Sequence, residues 1–257
     1  MAVELVILGS GTSHGIPMIG CDCPVCTSRD KRDKRTRCSA AFRIGKRTIL
    51  IDTAPELRLQ CLATGIKTVD AILYTHHHAD HIAGLDDVRR FNWINKAPMH
   101  LYGSTQTLDR IRQSFAYAFE HDPNYPSAKP DLRTVEIRNP FKLFGRTITP
   151  IPYRHGPTEV LGFRIGNIAY CPDCNNIPDK SRKLLRGLEV LVLDALRRTP
   201  HPTHFTIDQA IDEARRIGAK RTYFTHIAHE LKHAATERDL PRGVKLAFDG
   251  LRVESER

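Results

Sequence analysis

The stretch Ile72-Leu-Tyr-Thr-His-His-His-Ala-Asp-His81 decides the fold. Its apolar beginning predicts a short buried strand, and the pattern His76-x-His78-x-Asp80-His81 follows that strand without a spacer. We expect these four side chains on a tight loop at the carboxyl end of the strand, His76 and His78 projecting to one side and the other two to a neighbouring position. Such a loop can serve two metal ions, and a polar surface patch of histidines is the alternative interpretation.

Outward from this stretch, short apolar runs alternate with helical patterns and predict one α/β domain spanning residues 1–257. The predicted strands are Val3–Leu8, Thr48–Ile51, Ala71–Tyr74, Val190–Asp194 and Arg221–Phe224. A capping box opened by Thr206 predicts a helix that runs to about Ile217 and ends at Gly218.

Two further segments carry a local prediction. Asp249-Gly250 lies between Lys245–Phe248 and Leu251–Val253, which is a strong signal for a two-residue β-hairpin. The proline-rich stretch from Glu120 to Arg133 is predicted to be irregular, either a loop over a site or a surface connection.

Composition limits the classes of protein that remain. The chain has 257 residues, 40% of them hydrophobic, with neither a predicted signal sequence nor an apolar run long enough to span a bilayer. We therefore expect a cytoplasmic protein whose seven cysteines are thiols or metal ligands. With 39 basic and 29 acidic residues the net charge is +10, which favours anionic substrates only weakly, and the charged run Arg29–Arg37 is best interpreted as a solvated face.

The His-Asp pattern resembles the signature of the metallo-β-lactamase superfamily, which implies an αββα sandwich of two mixed β-sheets flanked by helices. Other family motifs occur in the expected order: Asp52 at a strand end supports the site, and later motifs supply His155, Asp173 and His226. The resemblance implies one metal held by His76, His78, His155 and Asp173, and a second held by Asp80, His81, Asp173 and His226. Imidazole and carboxylate ligands suit Zn, Mn or Fe, so the metal stays open.

A second cluster narrows the resemblance. Cys21-Asp-Cys23-Pro-Val-Cys26 has C-x-C-x-x-C spacing, and His229 follows His226 by three residues. Three thiols and one imidazole make a closed tetrahedral zinc site with no position left for water, so a structural zinc is expected in a loop at about residues 20–38. Free cysteines in a glycine-rich loop are the alternative.

This pairing resembles the PhnP group of cyclic-phosphate phosphodiesterases. The resemblance implies hydrolysis of a small phosphodiester, such as a cyclic sugar phosphate, by a hydroxide that two metals generate. His204 matches the position of the group's general acid, and a helix-entry residue is its plainer interpretation. Asp80 is expected to act as both ligand and base.

Two other functions stay open. A tRNA-processing nuclease has the same metal ligands and would use the basic surface, but the long arm usual in that class is absent from the sequence, so nucleic acid is the less favoured partner. A protein resembling the pyrroloquinoline-quinone biosynthesis member also has the cysteine loop. No membrane partner is expected, and the resemblance is compatible with a homodimer.

Overall fold

The computed structural model describes residues 2–120 and 128–255. Within them, seven strands form a first sheet in the order β14-β1-β2-β3-β4-β5-β6. Strands β3 to β6 are mutually parallel, and the pairs β14/β1, β1/β2 and β2/β3 are antiparallel. The strands are β1 (Val3–Gly9), β2 (Ser39–Ile44), β3 (Arg47–Ile51), β4 (Ala71–Leu73), β5 (Met99–Gly103), β6 (Leu132–Glu136) and β14 (Arg252–Glu254).

The second sheet also has seven strands among the described residues, in the order β13-β12-β11-β10-β9-β8-β7. Strands β10 to β13 are parallel, and β7 to β10 are antiparallel. The strands are β7 (Phe141–Leu143), β8 (Arg146–His155), β9 (Thr158–Ile165), β10 (Ile168–Cys171), β11 (Val190–Asp194), β12 (Arg221–Thr225) and β13 (Val244–Leu246).

Helices cover the outer face of each sheet, so three apolar cores separate four layers. In β1, Leu5 and Ile7 pack between the sheets, whereas Val6 and Leu8 pack beneath the outer helices. Both faces of such a strand are buried, which explains the continuous apolar runs in the sequence. The helices are α1 (Leu57–Thr64), α2 (Ala79–Ile82), α3 (Arg89–Asn95), α4 (Thr105–Ser114), α5 (Ala116–Phe119), α6 (Asp179–Leu184), α7 (Ile207–Ile217) and α8 (His233–Asp239).

The predicted αββα sandwich of two mixed sheets is confirmed. The five predicted strands form with ends shifted by at most one residue, and α7 begins at the predicted capping box and ends at Gly218, which has φ +74°. That the whole chain is one domain stays a prediction. No helix among the described residues is long and apolar enough to cross a membrane.

The predicted hairpin at Asp249-Gly250 is wrong. Strand β13 pairs with β12 in the second sheet, and β14 pairs with β1 in the first, so the chain crosses between sheets at this turn. The Asp249 carboxylate accepts hydrogen bonds from the backbone and hydroxyl of Ser10 and of Thr36, at 2.7 to 2.9 Å. Because this aspartate anchors two distant segments, its turn serves tertiary structure instead of a local hairpin.

The charged run Arg29–Arg37 is not wholly a solvated face. Arg35 and Asp33 are fully buried and form a salt bridge of 3.2 Å, so the interpretation of this run was wrong at its centre. The irregular stretch from Glu120 to Arg133 ends where β6 begins at Leu132, and residues 121–127 lie outside the described part of the chain.

Candidate metal centre

The carboxyl ends of parallel strands from both sheets meet at one edge of the sandwich. Asp52 follows β3, His76 follows β4, Asp173 follows β10 and His226 follows β12. Asp52, Asp173 and His226 have positive φ values of 62°, 50° and 59°. A left-handed conformation is uncommon for residues other than glycine, and such backbone strain is concentrated at functional sites. Three residues of the candidate site therefore combine a position just after a strand with a strained backbone.

The first candidate set of ligands is His76, His78 and His155, which offer ring nitrogens within 4.8 Å of one another. His76 Nε2 lies 3.0 Å from His78 Nδ1, and the His155 ring lies 5.1 to 5.4 Å from the other two rings. Two imidazole nitrogens on one tetrahedral zinc would be separated by about 3.3 Å. The spacing therefore fits one cation between the rings.

The second candidate set is Asp80, His81, Asp173 and His226. The two Asp173 oxygens face in different directions, one 3.2 Å from His81 Nε2 and the other 3.1 Å from His226 Nε2. Within the described residues, both imidazole Nε2 atoms and Asp173 Oδ2 are buried without a hydrogen bond of acceptable geometry. Buried polar atoms need partners, and a bound cation would supply one to each.

Polar contacts behind the rings fix which nitrogen points inward. Thr75 donates a hydrogen bond to Asp52 at 2.8 Å and lies 2.9 Å from His76 Nδ1, while Asp52 lies 2.7 Å from His81 Nδ1. His155 Nδ1 lies 2.9 Å from the carbonyl oxygen of Thr203. Each Nδ1–H then has an acceptor, which leaves Nε2 unprotonated and turned toward the site.

The electrostatic environment favours positive charge. Burial would lower the pKa of His81, but the carboxylates of Asp173, Asp80 and Asp52 around it raise that pKa well above its ordinary value. Burial, with smaller contributions from His204 and His81, lowers the pKa of His226 to about 3. The carboxylates that raise the pKa of His81 also attract a metal cation, and the neutral His226 ring offers that cation a free nitrogen.

His204 lies against the same site. Its ring stacks on the His226 ring at a centroid distance of 4.4 Å, and it lies 4.6 Å from the His155 ring. His204 Nδ1 lies 3.1 Å from Asp194 Oδ1, and Asp194 Oδ2 accepts the backbone N–H of Phe205 at 2.9 Å. Burial would lower the pKa of His204, but the Asp194 carboxylate raises it above the ordinary value, which favours the protonated ring.

The cysteine cluster forms a separate group. The sulfur atoms of Cys21, Cys23 and Cys26 lie 3.3, 3.5 and 3.8 Å from His229 Nδ1. A tetrahedral zinc ion with three sulfur ligands and one nitrogen ligand would place its nitrogen and sulfur atoms about 3.5 Å apart. The four side chains therefore fit the closed site that the spacing predicts.

Comparison with known proteins identifies the class. Residues 47–227 match the family described as the beta-lactamase superfamily domain, so the chain belongs to the metallo-β-lactamase superfamily and is a metal-dependent hydrolase. Within the superfamily it is a PhnP-like protein. A solved structure described as a new diphosphatase from the PhnP family is 46% identical, covers 99% of this chain and 98% of that chain, and superimposes with a TM-score of 0.93. The predicted family and hydrolase class are confirmed.

Two other relatives resemble the chain less completely. A protein of Porphyromonas gingivalis named octanoyltransferase is 39% identical over 258 residues, and the match covers 97% of this chain but 51% of that protein. The chain thus spans about half the length of that relative. The zinc-bound PqqB structure from Methylobacterium extorquens is 21% identical, covers 97% of this chain and 99% of that chain, and has a TM-score of 0.79, a likeness that shows the fold alone.

The structure brings every predicted site residue either to the His and Asp centre or to the cysteine cluster. Asp52 lies directly behind the histidines. Sequence reasoning missed Asp194 and Thr75. Asp194 ends an apolar strand just as Asp52 does, and that shared pattern was the available signal. Nothing in the sequence indicates a role for Thr75, because that role depends on its hydrogen bond to Asp52 at the end of the neighbouring strand.

Proposed function

We propose that this protein hydrolyses a small phosphodiester, such as a cyclic sugar phosphate, with two divalent cations bound side by side. One observation carries the proposal: the two sets of candidate ligands meet at Asp173. Its oxygens lie 3.2 and 3.1 Å from His81 and His226 of the second set, and its carboxylate also lies within 4.8 Å of a ring nitrogen of His155 in the first set. A shared carboxylate at the junction of two sets suits a pair of cations. The 46% identical relative, described as a diphosphatase, supports chemistry at phosphorus.

In this proposal His76, His78, His155 and Asp173 hold one cation, and Asp80, His81, Asp173 and His226 hold the other. The unpaired buried nitrogen and oxygen atoms fit that role. Nitrogen and carboxylate donors suit Zn, Mn or Fe. When bound, such a pair of cations makes hydroxide available near neutral pH and offsets the charge of the phosphate. Cys21, Cys23, Cys26 and His229 hold a separate structural zinc.

The remaining chemistry falls to protein side chains. Asp80 is partly exposed at the mouth of the second set, where its carboxylate can orient the attacking water and accept its proton. His204 lies between His155 and His226, and Asp194 favours its protonated form, so it can donate to the departing oxygen. Asp194 keeps the His204 ring in one orientation.

A second candidate function, hydrolysis of a diphosphate, is favoured by the description of the 46% identical relative. The two functions differ in the group that departs. A cyclic sugar phosphate releases an alkoxide, which needs a proton in the transition state, whereas a diphosphate releases a phosphate that is a better leaving group. The dependence of the rate on His204 therefore distinguishes them.

The test is a substrate panel on purified protein with manganese, zinc or no added metal. It contains bis(p-nitrophenyl) phosphate, ribose 1,2-cyclic phosphate, a nucleoside diphosphate and a tRNA precursor, and Asp173→Asn protein measures background activity. Turnover of the cyclic phosphate above the diphosphate supports the proposal, and the reverse supports the second candidate. Cleavage of the tRNA precursor would indicate a nuclease. No hydrolysis with any metal would contradict the proposal and leave a biosynthetic role of the pyrroloquinoline-quinone type.

A further inference from the structure

The segment 226–233 carries residues of both candidate metal sites. His226 belongs to the second set of the proposed catalytic centre, and His229 belongs to the cysteine cluster. His226 has a left-handed backbone with φ 59°. A strained conformation persists only where the surroundings hold it in place, so the residues that follow His226 must be fixed.

Arg35 holds this segment through hydrogen bonds to its backbone. Its side chain is fully buried, with Nη1 donating to the carbonyl oxygen of Ala228 at 3.1 Å and Nη2 donating to that of Leu231 at 2.7 Å. The N–H of Ala228 in turn donates to the carbonyl oxygen of Leu196 at 2.9 Å. The N–H and carbonyl groups of Ala228, two residues beyond His226, and the carbonyl group of Leu231 are thereby held.

Asp33 completes the arrangement. One of its oxygens accepts from Arg35 Nη2 at 3.2 Å and from the backbone N–H of His233 at 2.7 Å. Arg35 Nε donates to the carbonyl oxygen of Arg32 at 3.2 Å. Burying a guanidinium group is costly unless its donors are paired, and the planar group of arginine can bridge several acceptors in a way that lysine cannot.

We propose that Arg35, paired with Asp33, is a positioning residue that holds His226 in its metal-binding geometry independently of the cysteine cluster. The inference rests on the metal site of the proposed function. Partners that hydrogen-bond directly to metal ligands typically change metal affinity 10- to 100-fold when they are removed. Arg35 acts on the backbone beside such a ligand, so we expect Arg35→Met to weaken binding at the catalytic centre by about tenfold, the lower end of that range.

The experiment titrates Mn²⁺ into protein whose cysteine cluster retains zinc, and follows free Mn²⁺ by electron paramagnetic resonance. Manganese prefers oxygen and nitrogen donors, so the thiolate site does not compete. No substrate is present, and the outcome is therefore independent of whether the protein hydrolyses phosphodiesters. Thermal unfolding is measured on the same samples.

Arg164→Met is the matched control. Arg164 also donates to three backbone carbonyl groups, those of Gly166, Leu184 and Arg186, at 2.7 to 2.8 Å, but it lies near α6 and away from segment 226–233. We expect this variant to lower the unfolding temperature and to leave the Mn²⁺ dissociation constant within about twofold. If Arg35→Met only lost stability, it would show the same result as this control.

Arg35→Lys protects the test against a failure of Arg35→Met to fold. Lysine keeps a positive charge opposite Asp33 but cannot reproduce the planar fork that joins Ala228 and Leu231. An intermediate loss of Mn²⁺ affinity is expected. If every Arg35 variant that folds binds Mn²⁺ as tightly as Arg164→Met does, the proposal is overturned, and Arg35 is a stabilising residue only.

Discussion

Asp194→Asn tests proton donation by His204 when the metal is saturating. The Asp194 carboxylate is fully buried and accepts from Phe205 N–H at 2.9 Å and faces His204 Nδ1 at 3.1 Å. Asparagine has nearly the same shape but a single oxygen. Either His204 or Phe205 then meets an N–H₂ group where it needs an acceptor.

The expected cost follows from what His204 does. Without the Asp194 carboxylate, the His204 pKa loses the interaction that raises it, and the Nδ1–H loses its acceptor. General acid catalysis contributes about 10²- to 10⁴-fold to a rate. We expect kcat on a cyclic sugar phosphate to fall by about 10²-fold, which corresponds to about 2.7 kcal/mol in the barrier.

The assay compares kcat on ribose 1,2-cyclic phosphate and on bis(p-nitrophenyl) phosphate at saturating Mn²⁺. Nitrophenolate departs without a proton, so its rate should change by less than about threefold. Saturating metal is required because Asp194 also lies 3.5 Å from His226 Nδ1 and can support that ligand. Asp212→Asn, an exposed change on α7, is the control. Equal losses on the two substrates, or no loss on the cyclic phosphate, would refute the assignment of His204 as the acid.

Three further predictions concern the metals. Asp173→Ala should abolish hydrolysis and reduce the bound catalytic metal, because it removes the ligand that we propose both sets share, and elemental analysis of the dialysed protein checks this. Cys21→Ser should lower the zinc content by about one ion and lower the unfolding temperature, since metal binding contributes to folding; unchanged zinc would contradict the structural site. In zinc-free protein at pH 7, iodoacetamide should label Cys23 before Cys26. Backbone N–H groups lower the pKa of Cys23 to about 6, whereas burial raises the pKa of Cys26 to about 11. Peptide mapping at pH 5 and pH 7 should show that Cys23 labelling increases with pH.

The part of the site that the sequence predicts is the part built from short-range patterns. His76, His78, Asp80 and His81 lie within six residues directly after a buried strand, so their convergence follows from one local turn. The apolar runs identify the strands because both faces of each sheet are covered. Residues further along the chain reach the site from the ends of other strands and from the connection before α7, and their assignment needed the family resemblance.

Long-range polar contacts account for what sequence reasoning could not reach. The dipeptide Asp249-Gly250 is typical of a hairpin turn in sequence. In the structure the Asp249 carboxylate instead accepts hydrogen bonds from Ser10 and Thr36, which are more than 200 residues away. Arg35 lies in a run of charges that favours a solvated surface, yet it is buried against the segment 226–233. In both cases a local preference was overridden by a partner that no spacing in the sequence reveals.

The geometry also indicates where substrate choice is decided. The proposed cation-binding side chains lie near strand ends or on α2, so their positions are set by the sandwich. His204 is different, because it lies in a connection between β11 and α7 and depends on one carboxylate. A diphosphatase and a cyclic phosphodiesterase require the same cations but different help for the leaving group. If both reactions occur at this site, loss of the His204–Asp194 pair should suppress the cyclic phosphate reaction and spare the diphosphate reaction, which makes this pair the determinant of selectivity.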